Sequence, residues 1–227
     1  MNTSAPLHRL RESDVKYCEN RDNGGDAGLL SAFTRDTDNH VMHVLHDVGL
    51  NRHLHFRPAE GARFHWFDLI TWTGGLTITG DMGTYTFRRI DDMFEFFTRR
   101  VNSSYWAEKL QNGTTGGGDE VRKHDADTFK LWLLQTFWHW SRDHEDTSEV
   151  TAAWQSIREA ILDTYAFLNM ESRDDCITAL QEHSGPAADH YTDCWEADWT
   201  KYDYHFEWCL AAILTGIRTY KEWKVAA

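Results

Sequence analysis

Five histidines fall within sixteen residues: His40, His43, His46, His53 and His55. Imidazole nitrogens ligate transition metals and exchange protons near neutral pH. On strands, side chains alternate between faces. His53 and His55 then share one face, His40 and His46 share one, and His43 points the other way. His43, His53 and His55 are the candidate metal ligands, converging with a carboxylate such as Asp47 or Asp81. Against a metal stand the absence of any HExxH spacing and the ordinariness of histidines on a half-exposed sheet face. The expectation is therefore no resident cofactor.

A second set lies around the glycine turns. Asp81, Arg88, Arg89 and Trp72 are the candidate ligand contacts, the arginines as cations for an anion. Gly80-Asp-Met-Gly83 lacks the spacing and the following Lys-Ser/Thr pair of a phosphate loop, so tight turns are the plainer reading. His139, Asp143 and His144 sit near a helix end, where His and Asp one turn apart can meet. A solvated helix end explains them as well. From Asp189 to Trp208, aromatic and acidic residues interleave. Trp195, Asp198, Trp199, Tyr202 and Tyr204 are the candidate partner surface, because Trp and Tyr anchor interfaces. Core packing is the competing reading. No serine elbow, Walker motif, dinucleotide fingerprint or kinase set occurs, which leans the reading away from an enzyme.

These groups need elements to hold them. Residues 40–46 and 52–57 read as a hairpin. Residues 64–71, with both rows largely apolar, read as a strand buried on both faces or nearly so. Leu76–Thr79 and Thr84–Arg88 follow, separated by Gly74-Gly75 and Gly80–Gly83. Asp91 and Asp92 suit a helix start, and Arg99 and Arg100 its last turn, in a helix that closes the sheet like a lid. The reading is α+β: an antiparallel sheet of about five strands over residues 40–89, packed with a mostly helical C-terminal half. Residues 1–38 are polar and expected to be partly disordered, with a short helix around 28–34. Residues 39–111 form the sheet with covering helices, and 112–118 a Gly-rich connector. Residues 119–227 form an acidic helical region packed on the sheet as one domain. There Asp119 caps a helix apolar on two sides, with Leu131, Leu134 and Trp138 on the second. Thr147 or Ser148 opens a helix carrying Val150, Trp154, Ile157, Ile161, Tyr165 and Leu168. Ser172 with Asp175 starts another, and residues 203–221 form the last.

Charge narrows the functions further. The net charge is −13. Residues 1–119 hold 13 basic and 16 acidic groups, whereas 120–227 hold 10 and 20, so the helical half carries most of the excess. Such a field does not draw phosphate backbones, and direct nucleic-acid binding is disfavoured. Four cysteines without a CxxC pair argue against a zinc ribbon or redox dithiol and for reduced thiols in a cytoplasmic protein. No signal peptide and no membrane span are expected.

Several segments together carry a resemblance: Asp68-Leu-Ile-Thr-Trp72, Leu76-Thr-Ile-Thr-Gly-Asp-Met-Gly-Thr-Tyr-Thr-Phe87, Asp92-Met-Phe-Glu-Phe-Phe97, Tyr105-Trp-Ala-Glu-Lys-Leu110 and Tyr202-Asp-Tyr-His-Phe-Glu-Trp-Cys209. The combination resembles an uncharacterised family of bacteriophage and prophage accessory proteins, over residues 38–221. Thr73-Gly74-Gly75 stands where that family's pattern has a Pro-Gly turn. The resemblance brings no catalytic residue. It implies a phage or mobile-element gene acting in the cytoplasm of a bacterial host cell. Its context suggests an inhibitor or host-defence antagonist whose partner is a host or defence protein. The alternative is a protein that binds or hydrolyses a small nucleotide-like ligand, with a metal on the sheet histidines. Self-association into a homo-oligomer would point to a structural accessory.

Overall fold

The computed structural model describes residues 3–14, 25–61, 63–111, 121–163, 170, 172–191 and 193–226. The expected connector at 112–118, the Asp119 cap, residues 20–24 of the N-terminal segment, and Tyr165 and Leu168 lie outside the described residues. The fold is α+β. The chain forms two compact units, residues 1–121 with 202–227, and residues 122–201.

The first unit is built on a six-stranded antiparallel meander. Its strands are β1 (Ser4–Pro6), β2 (His40–Val48), β3 (Asn51–Pro58), β4 (Phe67–Trp72), β5 (Gly75–Gly80) and β6 (Gly83–Arg88), paired in sequence order. From β2 to β6 the short loops dictate this, since each strand turns back on its neighbour; β1 joins β2 through residues 7–39, which include a helix. Five strands are those expected. The sixth, β1, has only three residues and ends on a proline, so it shows no alternation to read. It pairs at the edge of the sheet, where proline's missing N–H is tolerated. The N-terminal segment also holds helix α1 (Gly25–Thr37), longer than the short helix expected around 28–34.

Strand β4 begins at Phe67, not Phe64. His65 takes a left-handed conformation, φ 58°, and the Asp81 carboxylate accepts its backbone N–H at 2.7 Å. Nor is β4 buried on both faces. Phe67, Leu69 and Thr71 are buried, while Asp68, Ile70 and Trp72 are half-covered. The same alternation runs through β3 and β5, so the sheet has one dry face and one open face.

The dry face is covered by helices. α2 (Met93–Phe96) is a single turn whose first N–H groups are capped by Asp92, which accepts from Phe94 N–H at 3.0 Å. It stops at Phe97, so Arg99 and Arg100 lie beyond it. α3 (Ser103–Ala107) follows, capped by Asn102. The principal cover is the last helix, α7 (Tyr204–Ala226). It is buried without a break from Trp208 to Ile217, the mark of a helix inside a core. Its Thr215 and Thr219 hydroxyls donate to the Ala211 and Thr215 carbonyls, both at 2.9 Å, so neither of these two hydroxyls is stranded in the dry interior. Gly216 sets the seat. A Cβ there would lie 2.7 Å from Leu69 Cδ1 and 3.0 Å from Phe56 Cζ, so the helix backbone rests directly on the sheet's apolar side chains.

Where the β2–β3 hairpin meets α2 and the end of α7, a polar network closes the unit. Arg52, 9 % exposed, donates to both Asp92 oxygens at 2.8 and 2.9 Å. Its guanidinium lies over the Phe94 ring at 4.5 Å. Tyr220 donates to Asp47 at 2.7 Å, and Lys224 pairs with the same carboxylate. These groups line a cavity of about 630 Å³. The Arg52 hydrogen bonds hold Asp92 below its ordinary 3.8. Burial would raise Asp47, but the bonds from Lys224 and Tyr220 outweigh it.

The second unit is helical: α4 (Ala126–Arg142), α5 (Thr147–Ile157) running into a π turn at Arg158–Leu162, and α6 (Arg173–Glu182). The ribbon of β7 (Arg122–His124) and β8 (Thr200–Tyr202) brings the chain in and out side by side. Asp125 caps α4, Asp146 caps α5, and Ser172 with Asp175 forms a full capping box on α6. Phe129, Leu133, Ile157, Ile161, Cys176 and Trp199 make the core. α4 buries a single stripe, and Trp138, expected on a second apolar side, is 62 % exposed. The thoroughly buried helix is α7 instead.

Two measurements test this packing. A Cβ at Gly80 would overlap the Trp66 carbonyl and lie 2.8 Å from Phe67 Cα, both unyielding backbone. Gly80→Ala should cost about 3 kcal/mol in urea unfolding. Gly28→Ala, with open space around its Cβ, should gain about 0.5–1 kcal/mol from helix propensity. The second is pH. Burial lowers His40 and His183 from their ordinary 6.5, so the unfolded chain binds those protons first. Stability should fall as pH drops through about 6.5. Asp14, Asp47, Asp92 and Asp125 are all lowered. Their contribution is full above 3.8 and is lost as pH falls further. Unfolding free energies at about pH 8, 5 and 3 should show two separate losses.

Candidate functional site

The open face of the sheet carries a polar row that crosses every strand. Register places Ser4 beside His43, His43 beside His55, His55 beside Asp68, Asp68 beside Thr79 and Thr79 beside Thr84. Directly opposed residues on one face are close enough to bond. His55 Nδ1 lies 2.5 Å from Asp68 Oδ1, and His53 Nε2 lies 3.0 Å from Asp68 Oδ2. The Thr79–Thr84 and Thr77–Thr86 hydroxyls pair at 2.7 and 2.8 Å.

Asp68, rather than Asp47 or Asp81, is thus the carboxylate at the centre of the histidines. Asp47 belongs to the Tyr220–Lys224 network, and Asp81 holds the His65 turn. The sequence offered no way to choose among them, because the pairing of His55 with Asp68 depends on the loop from Ala59 to Trp66. A carboxylate accepting from two imidazoles fixes both tautomers. In neutral rings, donation to Asp68 puts the proton on Nδ1 of His55 and on Nε2 of His53, with His55 Nε2 and His53 Nδ1 as acceptors. The His43 ring stands 6.3 Å from that of His55 and is not bonded to Asp68. Burial, then Arg57 and His55, lower its pKa. Among the described residues no group of three or more His, Cys, Asp or Glu is placed to hold a metal ion.

The ligand candidates divide. Arg88 and Arg89 line a polar groove of about 570 Å³ with Thr73, Gly74, Asp91 and Lys109. Trp72 lies beside it on the open face. Its indole occupies the space where a Cβ on Gly75 would stand, and Gly75 pairs with Trp72 on one side and Arg88 on the other. Asp81 is at the far end of β5, about 20 Å away along the strand. The histidines of β3 are three strands from Arg88, about 14 Å across the sheet. Histidines and arginines therefore do not share one site.

The partner-surface candidates divide as well. Trp195, Asp198 and Trp199 belong to the second unit, and Tyr202 and Tyr204 to the first. Trp195 is 53 % exposed and Tyr204 42 %, and Asp198 is exposed. Trp199 is fully buried, with Phe129 at 4.8 Å and Trp132 at 5.1 Å, so it is a core residue. Tyr202 packs partly buried against the first unit's core. Trp138 was missed, because its helical spacing looks the same inward or outward until the helix has a neighbour. His139 and His144 each bond a carbonyl one turn back, at 2.7 and 2.9 Å, as expected of a helix end.

The tautomers are testable. Long-range nitrogen–proton NMR above about pH 7.5 should show His55 protonated on Nδ1 and His53 on Nε2. Asp68→Ala should return both rings to a mixed population with the fold intact. Against known proteins, the chain matches no family model, no curated protein and no solved structure.

Proposed function

We propose that the protein is a non-catalytic binding protein of phage or mobile-element origin. It inhibits a host or defence protein by docking an acidic, aromatic surface on a basic one. The observation that carries this reading is the placement of charge. Residues 122–201 hold seven Lys or Arg against sixteen Asp or Glu, a net of −9 out of −13. Every described carboxylate of that unit except Asp125 is exposed.

Within that field, Trp195 stands open between Asp193, Glu196 and Asp198. Its backbone is pinned by Arg173, which donates to the Trp195 carbonyl and, at 3.4 Å, to that of Ala197. An anchor held in place loses little freedom on binding. The field speeds encounter with a basic partner and rejects acidic ones. Trp138 supplies a second open indole on α4.

Affinity capture from bacterial lysate at low salt tests this. One basic protein should be retained, and its retention should fall steeply between about 0.05 and 0.3 M salt. Trp195→Ala should weaken it by about thirtyfold, a loss of about 2 kcal/mol. A bound protein indifferent both to salt and to Trp195, or none at low salt, would overturn the reading.

A further inference from the structure

We propose that Trp72, Arg88 and Arg89 form a site for a nucleoside phosphate, its base stacked on the Trp72 indole and its phosphate between the two guanidinium groups. The site lies wholly in the sheet unit and does not depend on the acidic surface.

The platform comes first. The Trp72 indole fills the volume above Gly75 that any side chain would claim. One ring face therefore rests on the sheet and the other is turned outward, with Trp72 only partly buried. Bases stack on such a surface whatever their identity. The anion comes second. Arg88 occupies the same cross-strand row, on the other side of Gly75, about 10 Å from Trp72 between backbones. A long guanidinium side chain closes that span. Arg89 joins it in lining the groove. Among the described residues neither arginine has an ion-pair partner. Lys109 is already matched by Glu108 at 2.9 Å, and among the described lining residues Asp91 is the one carboxylate without an ion-pair partner. Arginine recognises phosphate bidentately.

Third, the walls are fixed. Gly74, at φ 81°, donates its N–H to the Asp91 carbonyl at 2.9 Å, and Arg88 N–H donates to the Lys109 carbonyl at 3.1 Å. The β4–β5 turn, the end of β6 and residues 108–111 are thereby joined into one frame. The arginine groove, about 570 Å³, is within the range of small-molecule sites; Trp72 is outside its lining and directly precedes Thr73, which belongs to it. An acidic peptide would use the arginines but not the flat indole. A planar ring and an anion on one small molecule use both.

Calorimetry with AMP, ADP and UMP at low salt, alongside adenosine and inorganic phosphate, reads the proposal directly. At least one nucleotide should bind, with adenosine and inorganic phosphate each weaker by about tenfold or more. Trp72→Ala and Arg88→Gln should each reduce nucleotide affinity by about tenfold. Arg88 is exposed at the sheet edge, so its variant keeps the fold even if the Trp72 variant does not. The indole N–H resonance of Trp72 should shift on nucleotide addition. No heat with any nucleotide up to about 5 mM, affinity unchanged by Arg88→Gln, or phosphate binding as tightly as nucleotide would each overturn the site.

Discussion

The first unit depends on one close approach. A helix that is buried on every side cannot be held off by its own side chains, because the sheet beneath it is already filled by Phe56, Phe67, Leu69 and Ile78. Gly216 resolves this by offering bare backbone against Leu69 and Phe56. The rest of the packing follows from that seat. Trp208 comes to lie 5.0 Å from Phe33 of α1 and 5.8 Å from Phe67 of β4. Tyr220 reaches Phe94 at 5.3 Å and Asp47 at 2.7 Å. Van der Waals attraction falls off within about an ångström of lost contact, so a helix lifted by one methyl would loosen all four partners at once.

The sheet separates two chemistries by parity alone. The row Val44, Leu54, Leu69, Ile78 and Tyr85 is apolar from β2 to β6, and the next row over is Ser4, His43, His55, Asp68, Thr79 and Thr84. A slip of one residue anywhere in the meander would send imidazoles into the dry core and phenylalanines outward. The polar row thus helps fix the register as firmly as the apolar one does. It is also bonded within itself, through Asp68 and the two threonine pairs.

Much of this was legible in residue order, and the failures have physical causes. Strands β2 to β6 announce themselves by period-two alternation and glycine turns. The last helix announces itself by a long apolar run. Capping was legible at Ser172, where the side chain and its Asp175 partner are local. It was not legible for α4, because both Asp119 and Asp125 satisfy the pattern and choosing Asp125 requires knowing where β7 ends. β1 was invisible because three residues cannot show a period. The sites failed at the same point. The sequence placed His43, His53 and His55 together but could not supply Asp68. It grouped Asp81 with Trp72, Arg88 and Arg89, although strand length carries Asp81 to the opposite end of the sheet. Burial of Trp199 and exposure of Trp195, four residues apart, are decided by tertiary neighbours alone.

The chain order of the two units carries a consequence for synthesis. The sheet is complete by Arg88, but the helix that covers its dry face begins only at Tyr204, after the whole of the second unit. A nascent chain emerging from the ribosome therefore exposes Phe56, Phe67, Leu69 and Ile78 while residues 122–201 are still being made. The second unit, contiguous in sequence, can close as soon as it emerges, whereas the first must wait for its centrepiece. At about 5–20 residues per second, the uncovered sheet lasts for several seconds. That interval is the chain's window for chaperone capture or for pairing with a neighbouring nascent copy.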